Sequence, residues 1–556
     1  MFKVFNLYKM LKEKEKIFFI IIFFGIFFSA FLEMISFSAI IPVFKLIFSG
    51  EKIDISFLND LGPIVILVLF LLLFCFKNLF LIFFNFFYIK FIFFFCSECS
   101  KRLFLNSLNH GYSHFKKYSS DFFLRKVSND AINMRIYIVG CIVLMTEILF
   151  LTCLAGILFL INSTIFTFVI IFFSATLALY FYLIKTRIKK WAELNHINSG
   201  KLQVLVDEGL KGIKDIIIYN LQNFFYNKFS NYSDGIFESQ FKHEFLNNVL
   251  RYWMELLCVI IFSLSLIFLI FNNTILSNFL PIFALYGIAL FRAIPSFNKI
   301  VMAKQVCKFY YPGFKSVIDQ LKISVQLNIQ NPVKNFNFEK SLEMKNVSFK
   351  FEDTDKYLIK NFNLKINKNS STLIKGNNGS GKSTLIEIIS GLRDPIDGDV
   401  IIDEKYKLKD CKINWMSKIG FVQQNVFIMN SSIIENIVLE SSSYDQKKFN
   451  EICSLIELDK AFENFDELVN KKNLGLDGFN LSGGQRQLIS IARALYKTAE
   501  VLILDEPDSA LDVEKNETLI KTLIKLKGIK TIIMISHNFS HPDNIFDNVI
   551  ELTRNE

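Results

Sequence analysis

The chain has 556 residues, of which 52% are hydrophobic and 21% are charged, and its mean hydropathy is +0.36. Its 64 Phe, 9 Pro and 23 Gly exclude a disordered chain, a collagen and a disulfide-rich secreted scaffold. The net charge of +10 is uneven, because residues 1–330 carry 32 Lys and Arg against 19 Asp and Glu, whereas residues 331–556 have a net charge of −3. Since the basic part is also the apolar part, we expect a membrane protein and no nucleic-acid partner.

Six long apolar runs follow one another in the first part of the chain. They lie at about 17–48, 63–95, 136–161, 164–184, 250–271 and 275–295. Each reaches or approaches the ~20 residues that a helix needs to cross a bilayer. The connections after the second and fourth runs are long and rich in Lys and Arg, so the positive-inside rule places them and both termini in the cytoplasm. The pattern predicts a multi-pass membrane protein with six spanning helices.

The pattern of apolar residues changes near residue 330. Short apolar segments at 347–351, 371–375, 418–422, 501–504 and 531–535 alternate there with helical segments. Such alternation is typical of an α/β domain with a largely parallel sheet. We therefore predict two domains: an all-α transmembrane domain at 1–330, whose helices extend into the cytoplasm, and an α/β domain at 335–556.

A phosphate-binding loop follows the predicted strand at 371–375. The motif GxxxxGK[ST] stands here between a strand and a helical segment, which is the context that it requires. Its backbone N–H groups wrap phosphates, its lysine reaches the β and γ oxygens, and its hydroxyl binds Mg²⁺. The predicted contacts are Gly376, Asn377, Asn378, Gly379, Ser380, Gly381, Lys382, Ser383 and Thr384.

Two carboxylates end the buried strand predicted at 501–504. Asp505 is placed to hold Mg²⁺, and Glu506 is placed to polarise an attacking water. Many core strands end in an acidic residue, but the phosphate-binding loop about 120 residues upstream strengthens this assignment. The sequence therefore predicts a site for a nucleotide with Mg²⁺.

A second glycine-rich turn reads Leu481-Ser482-Gly483-Gly484-Gln485. This segment resembles the LSGGQ signature of the ATP-binding cassette (ABC) family. The resemblance implies an α/β P-loop ATPase with ATP and Mg²⁺ as cofactors. It assigns catalytic roles to Glu506, to His537, which contacts the γ-phosphate, and to Gln424, which is also a metal contact. It assigns adenine stacking to Phe351. The signature residues Ser482, Gly483, Gly484 and Gln485 are expected to complete the ATP site of a second subunit.

Six spans ahead of one cassette resemble a half-size ABC exporter. The resemblance implies a homodimer in which ATP is sandwiched between two cassettes. It also implies that cytoplasmic helix turns near 115–125 and 210–225 transmit the motion to the spans. A reading from another class, an ATP-gated channel or regulatory membrane protein, stays open.

Charged residues lie inside the apolar runs, where a charge costs at least ~2.5–3.5 kcal/mol. One reading is internal pairing, of Glu33 or Glu147 with Lys77 and of Arg251 with Glu255. The other is a hydrated lumen whose cations bind an anionic headgroup. The candidate cations for the second reading are Lys77, Arg251, Arg292 and Lys299.

Three segments resemble the PglK-type lipid-linked oligosaccharide flippases of bacterial protein N-glycosylation. They are Phe31-Leu32-Glu33 with Ser38 and Pro42, Leu144–Glu147, and Leu290–Ile300. The resemblance implies a polyprenyl-pyrophosphate glycan as cargo, carried from the inner to the outer leaflet of the bacterial inner (cytoplasmic) membrane. Export of another amphiphile, such as a lipid-A-like lipid, a peptide or a drug, is the alternative.

Overall fold

The computed structural model describes residues 13–39, 63–109, 112, 120–161, 163–271, 276–324, 336–351, 354–439, 444–463, 465–470, 474–475, 478, 480–536 and 545–553. The chain forms two compact units. One comprises Met1–His110 with His114–Leu327, and the other comprises Gly111–Ser113 with Asn328–Glu556. The domain boundary predicted at 330–335 lies outside the described residues.

The first unit is helical, and its long helices coincide with the apolar runs. Its elements are α1 (Glu13–Ser38), α2 (Pro63–Asn109), α3 (Ser120–Arg125), α4 (Ala131–Ile161), α5 (Ser163–Lys211), α6 (Ile213–Ile218), α7 (Gln222–Phe271) and α8 (Leu276–Ser324), and a π-helical turn at Lys126–Asp130 joins α3 to α4. Within the described residues, three stretches are long and apolar enough to cross a membrane, namely Glu13–Ser38, Ile64–Asn109 and Phe122–Leu160.

The helices continue well beyond their apolar runs. Helix α5 has 49 residues, which corresponds to roughly 70 Å, and the apolar run at 164–184 covers less than half of it. It ends at Lys211, after which Gly212 and the left-handed Asn220 (φ 53°) flank the short helix α6. The helix turn predicted near 210–225 is therefore present, whereas the turn near 115–125 lies partly outside the described residues.

Close helix packing in the first unit depends on small residues. A Cβ added to Gly140 of α4 would lie 3.1 Å from the Cys307 Sγ of α8, so the two helices meet almost at backbone contact. Next to this crossing, the buried side chains of Met134, Val317 and Phe314 form an apolar core. This contact fixes α8 against α4 along the segment that carries the charged residues.

The second unit contains two sheets. The strands are β1 (Ser341–Phe349), β2 (Ile359–Asn367), β3 (Ser371–Gly376), β4 (Asp397–Ile402), β5 (Tyr406–Lys407), β6 (Ile419–Val422), β7 (Val501–Asp505), β8 (Thr531–Ile535) and β9 (Asn548–Leu552). Five of them form a parallel sheet in the order β6-β7-β8-β3-β9, and the other four form an antiparallel sheet in the order β2-β1-β4-β5. The predicted α/β fold with a parallel sheet is confirmed.

One predicted strand belongs elsewhere. The segment 347–351 was expected in the alternating α/β pattern, but Val347–Phe349 ends β1 of the antiparallel sheet and pairs with β2 and β4. The burial pattern of β1 explains the misassignment, since both ends of the strand are buried and only Lys345 and Asn346 are exposed. A strand that is buried at both ends has the same run of apolar residues in its sequence as a core strand of a parallel sheet.

In the described part of this unit, seven α-helices accompany the strands: α9 (Lys382–Ile389), α10 (Lys412–Ser417), α11 (Ile433–Val438), α12 (Gln446–Leu455), α13 (Phe465–Asn470), α14 (Gly483–Tyr496) and α15 (Val513–Leu526). Helix α9 is held by its apolar residues, because Leu385, Ile386, Ile388 and Ile389 are all fully buried. They pack with Trp415 and Phe338 in a core between the two sheets. This core holds α9, and with it the phosphate-binding loop, in place.

Candidate functional site

The predicted motif residues gather at one edge of the parallel sheet. Strand β3 ends at Gly376, β7 ends at Asp505, and β6 ends two residues before Gln424. Since the carboxyl ends of parallel strands lie at one edge, ligands of open α/β sheets bind there. The third catalytic candidate, His537, follows β8 and lies outside the described residues.

The loop between β3 and α9 requires glycine at two positions. Gly376 has φ 155°, and a Cβ there would lie 2.5 Å from the Leu552 carbonyl oxygen. Gly381, the N-cap of α9, has φ 96°, in the left-handed region that favours glycine. The Ser380 Oγ is buried without a hydrogen-bond partner among the described residues. The loop thus offers backbone N–H groups and a hydroxyl at a helix N-terminus, as a phosphate requires.

Lys382 crosses this loop. Its Nζ donates to the carbonyl oxygens of Gly376, at 2.8 Å, and of Asn377, at 3.0 Å. Burial lowers the pKa of Lys382, and the nearby charges of Glu506 and Asp505 act in the opposite direction. A buried ammonium group held at the loop is placed to neutralise a phosphate oxygen.

Asp505 fits a divalent cation. Burial raises the pKa of this carboxyl to about 6, the adjacent charge of Glu506 adds to the rise, and a hydrogen bond from Ser383 opposes it. Its Oδ1 is buried and has no hydrogen-bond partner within the described part of the chain. A carboxylate beside a hydroxyl is an all-oxygen donor set, which is what Mg²⁺ prefers. The residues present therefore fit a Mg²⁺-nucleotide.

Glu506 turns away from its strand. Its φ is 50°, and its backbone N–H donates to the Ile535 carbonyl of the neighbouring strand at 3.0 Å. The Gln424 Nε2 donates to its Oε2 at 2.6 Å. A left-handed backbone at a non-glycine residue costs roughly 1 kcal/mol or more and is enriched at functional sites. Gln424 thus fixes one carboxylate oxygen of Glu506, and the carboxylate lies at the same sheet edge as the phosphate-binding loop.

The signature residues begin helix α14. Ser482 is its N-cap and forms a capping box with Gln485, whose Nε2 also donates to the Ala461 carbonyl at 2.8 Å. A Cβ on Gly484 would lie 3.2 Å from the Ala510 carbonyl oxygen, and one on Gly483 would lie 3.3 Å from the Ala510 Cβ. Glycines here let the turn lie directly on the segment after the catalytic carboxylates. The described hydrogen bonds of Ser482 and Gln485 stay within this region.

Phe351 has a neighbour that the sequence did not single out. Its ring is 38% exposed, and the guanidinium carbon of Arg393 lies 5.3 Å from its centroid. Arg393 is 7% exposed, and its Nε donates to the carboxylate of Glu387 in α9. The available signal was Glu387, a lone acid in the otherwise apolar segment Leu385–Ile389. This ion pair connects the candidate adenine-stacking ring to the phosphate-loop helix.

The candidate cargo residues of the first unit have different partners from those expected. Glu33 pairs with Arg292 and Glu147 pairs with Lys299, at 2.5 and 2.7 Å, so the expected pairing of either carboxylate with Lys77 is wrong. The close packing of α8 against α4 accounts for the second pair, because it brings Lys299 to Glu147. The first pair joins α8 to α1, where Glu33 lies. Lys77 lies over the Phe74 ring instead, 4.5 Å from its centroid.

The remaining candidate cation is Arg251, whose side chain lies outside the described residues. The pairing with Glu255 that was expected for it is therefore left as a prediction. Lys77, Arg292 and Lys299 are thus the candidate cargo cations whose positions the structure describes.

Comparison with known proteins gives matches to both units. The family model described as "ABC transporter" matches residues 359–509, and the model described as "ABC transporter transmembrane region" matches residues 18–293. The structure of a bacterial Atm1-family ABC exporter with ATP bound superimposes with a TM-score of 0.75, covering 96% of this chain and 94% of that one at 16% identity. At that identity the superposition shows the fold alone.

Curated relatives are similar at modest identity. The ATP-dependent lipid A-core flippase of Wigglesworthia glossinidia brevipalpis is 27% identical over 363 residues, 62% of this chain and 59% of that protein. The alpha-hemolysin translocation ATP-binding protein HlyB of Escherichia coli O157:H7 is 35% identical over 204 residues, 36% of this chain and 29% of that protein. The chain thus spans less than two thirds of the length of these relatives. Because the two family models match the two units in turn, the chain belongs to the ABC transporter family, with the domain arrangement of a half-size ABC exporter.

Proposed function

We propose that this protein is an ATP-hydrolysing flippase that moves a lipid-linked oligosaccharide, a polyprenyl-pyrophosphate glycan, from the inner to the outer leaflet of the bacterial inner membrane. The observation that carries the ATPase is the meeting of three elements at one sheet edge. These are the phosphate-binding loop, the hydrogen bond from Ser383 to Asp505 and the hydrogen bond from Gln424 to Glu506. Together they supply a phosphate-binding site, a cation site and a carboxylate that can polarise the attacking water.

Each of these residues has a separate role in the proposed reaction. Lys382 neutralises phosphate oxygens, and Ser383, Asp505 and Gln424 would hold Mg²⁺. When bound, Mg²⁺ spreads the charge that develops on the transferred phosphoryl group. Glu506 orients and polarises the attacking water while Gln424 holds its other oxygen. His537 is assigned to the γ-phosphate on the resemblance of the sequence alone.

The proposed working form is a homodimer with both termini in the cytoplasm. The N-terminus of α14 presents the backbone N–H groups of Gly483 and Gly484 next to Ser482. A helix N-terminus with its positive dipole end is suited to an anionic phosphate. None of the described hydrogen bonds of this turn reaches the phosphate-binding loop of its own chain. This favours a role on the nucleotide of a second copy.

The cargo assignment is supported by cations held inside the membrane unit. Arg292 and Lys299 lie on α8, and both retain solvent exposure despite their ion pairs. Guanidinium and ammonium groups suit phosphate as a fork and as a point charge. The relatives named as lipid A-core flippase and as alpha-hemolysin translocation protein favour the second candidate, export of another amphiphile.

Reconstitution into proteoliposomes tests the proposal. A fluorescent polyprenyl-pyrophosphate glycan should cross the bilayer only with Mg²⁺ and ATP, and Glu506→Gln should stop both hydrolysis and movement. Arg292→Gln with Lys299→Gln should retain ATPase activity and lose movement. Transport of a lipid-A-like lipid or a peptide, but not of the glycan lipid, would reject the cargo. An ATP-dependent ion conductance that persists in Glu506→Gln would instead favour a gated channel.

A further inference from the structure

A buried cation lies beside the ring that the sequence assigns to adenine. Arg393 is 7% exposed, whereas Phe351 is 38% exposed. The guanidinium carbon of Arg393 lies over the Phe351 ring, 5.3 Å from its centroid. An arginine is rarely buried to this extent unless its charge is paired. The contacts that hold this guanidinium therefore bear on how the neighbouring ring is used.

Three aromatic rings surround the guanidinium group of Arg393. Besides Phe351, the ring centroids of Phe349 and Tyr112 lie 5.5 Å and 5.6 Å from its carbon. Tyr112 comes between α2 and α3 in the sequence, but it belongs to the second compact unit. A guanidinium within about 6 Å of a ring centroid is attracted to the ring face. All three rings therefore contribute to the position of the cation.

A carboxylate of α9 fixes the same guanidinium. The Nε of Arg393 donates to the Oε2 of Glu387, and the Tyr112 hydroxyl donates to its Oε1 at 3.1 Å. The backbone N–H of Arg393 also donates to the Glu387 carbonyl oxygen at 3.0 Å. Within the described part of the chain, the Nη2 of Arg393 has no hydrogen-bond partner. The described contacts of the guanidinium are thus one carboxylate and three rings.

The Phe351 ring follows the end of a strand, where the sheet no longer holds it. Strand β1 ends at Phe349, and the Phe351 carbonyl oxygen accepts from the backbone N–H of Thr354 at 3.1 Å and from its hydroxyl at 3.2 Å. The ring meets Phe349 edge-on, with the centroids 5.3 Å apart. These contacts fix the backbone and one side of the ring. The guanidinium adds a contact that carries a full charge.

A cation over a ring changes what the ring can bind. The faces of aromatic rings carry partial negative charge, so two rings stacked directly face to face repel each other. A guanidinium over the ring attracts this charge. It also restricts the side chain before a ligand arrives, so that less conformational entropy is lost on binding. Both effects favour a base that stacks on the exposed part of the Phe351 ring.

We propose that Arg393 is a positioning residue for the nucleobase of ATP. The proposal rests on the proposed function, with Phe351 as the residue that stacks on adenine. Arg393 holds the Phe351 ring through its guanidinium, and Glu387 holds the guanidinium from α9. The ring that binds the base is thereby fixed to the helix that follows the phosphate-binding loop. Arg393 strengthens the binding of the base and leaves the binding of the phosphates unchanged.

The test compares two ligands on the full chain in detergent: ADP, and inorganic pyrophosphate, which lacks the base and the sugar. Their dissociation constants follow from the displacement of a fluorescent ATP analogue. Arg393→Gln should weaken ADP binding about three- to tenfold, because the contact between cation and ring is lost. Pyrophosphate binding, and kcat at saturating ATP, should each stay within about twofold of wild type. If Arg393 merely supported α9, both ligands would bind more weakly by the same factor.

A double-mutant cycle with Phe351 shows whether Arg393 acts through the ring. Phe351→Ala should weaken ADP binding about tenfold or more, because the stacking of the base is lost. Adding Arg393→Gln to this variant should cause no further loss, whereas the two losses would add if Arg393 acted independently of the ring. If Arg393→Gln does not fold, Arg393→Lys serves instead. It should weaken ADP binding about two- to threefold and leave pyrophosphate binding unchanged.

A matched control is available in the same unit. Lys368 also lies over an aromatic ring, 5.8 Å from the centroid of Phe338, and it also forms an ion pair, with Glu500. It precedes β3 and is therefore at the opposite end of this strand from Gly376. Lys368→Gln removes a comparable cation away from the site and should leave the affinities for ADP and pyrophosphate unchanged.

The outcomes separate this inference from the assignments on which it rests. If wild type binds neither ligand, the proposed function fails and this inference fails with it. If Phe351→Ala weakens ADP no more than pyrophosphate, Phe351 does not bind the base, and the role of Arg393 fails for that reason. If Phe351→Ala weakens ADP selectively but Arg393→Gln behaves like Lys368→Gln, only this inference is overturned. An equal loss for both ligands in Arg393→Gln would overturn it as well.

Discussion

Trp415 connects the phosphate-loop helix to the rest of the second unit. It is completely buried, its Nε1 donates to the Ile389 carbonyl at the end of α9 at 2.8 Å, and its ring meets Phe338 edge-on at 5.2 Å. Trp415→Phe removes the donor and leaves a buried carbonyl unpaired, at a cost of about 1–3 kcal/mol. The smaller ring loses about 1 kcal/mol more of apolar burial. We expect a total destabilisation of about 2–4 kcal/mol.

Calorimetry of the full chain in detergent measures this loss. The transition that Mg·ATP shifts is assigned to the second unit, and for about 230 residues 1 kcal/mol corresponds to roughly 2 °C. Trp415→Phe should therefore lower that transition by about 4–8 °C. The affinity for ATP should change little, because Trp415 contacts the end of α9 that is distant from the loop.

The matched control is Ile413→Ala on the same helix, α10. Ile413 is 48% exposed, so its truncation should cost less than about 1 kcal/mol. If Trp415→Phe melts within about 2 °C of Ile413→Ala, the indole hydrogen bond and the core packing do not hold α9 as described. A loss of ATP binding without a loss of stability would contradict the reasoning in the same way.

Three further predictions concern other parts of the chain. Burial lowers the pKa of His243 to about 4. Because the unfolded chain therefore takes up a proton at a higher pH than the folded chain does, the free energy of unfolding falls by about 2 kcal/mol between pH 7 and pH 5. His243→Phe, which keeps the stack on Phe309, should therefore lose less melting temperature than wild type between pH 7.5 and pH 5 in scanning fluorimetry. The sulfurs of Cys141 and Cys307 lie 3.5 Å apart, so diamide should join them as a disulfide, seen by mass spectrometry as the loss of two hydrogens, and Cys141→Ser should prevent it. Ser482→Ala should lower the free energy of unfolding by about 1 kcal/mol in calorimetry, because the helix cap is lost, yet it should reduce ATPase activity more than tenfold. If activity falls only as much as the loss of stability explains, Ser482 has no role on the partner's nucleotide.

The nucleotide site was predictable because its signals are local. Each motif is a short run whose strand, loop and helix follow one another directly, as in Gly376–Thr384, which leads from the end of β3 into α9. Parallel strands then bring the separate runs to one edge without further information from the sequence. Hence Asp505, Glu506 and Gln424 were assigned roles before their contacts were known.

The antiparallel sheet and the Arg393–Glu387 pair had no comparable signal. Strand β1 is buried at both ends, so its apolar pattern does not state which sheet it joins. The partner of Arg393, Glu387, lies in the segment Leu385–Ile389, whose other residues are apolar and predict only core packing. Such contacts depend on how two elements pack, and packing is not a property of either segment alone.

The charges of the membrane unit show the same limit with a functional consequence. Helical spacing alone places Arg292 and Lys299 on one face, but their partners are 259 and 152 residues away in sequence. Considered without their partners, these two cations predict a lumen that attracts any anion. Counted with Glu33 and Glu147, the same cations already have partners, so an anion that binds Arg292 or Lys299 must displace a carboxylate of the chain itself.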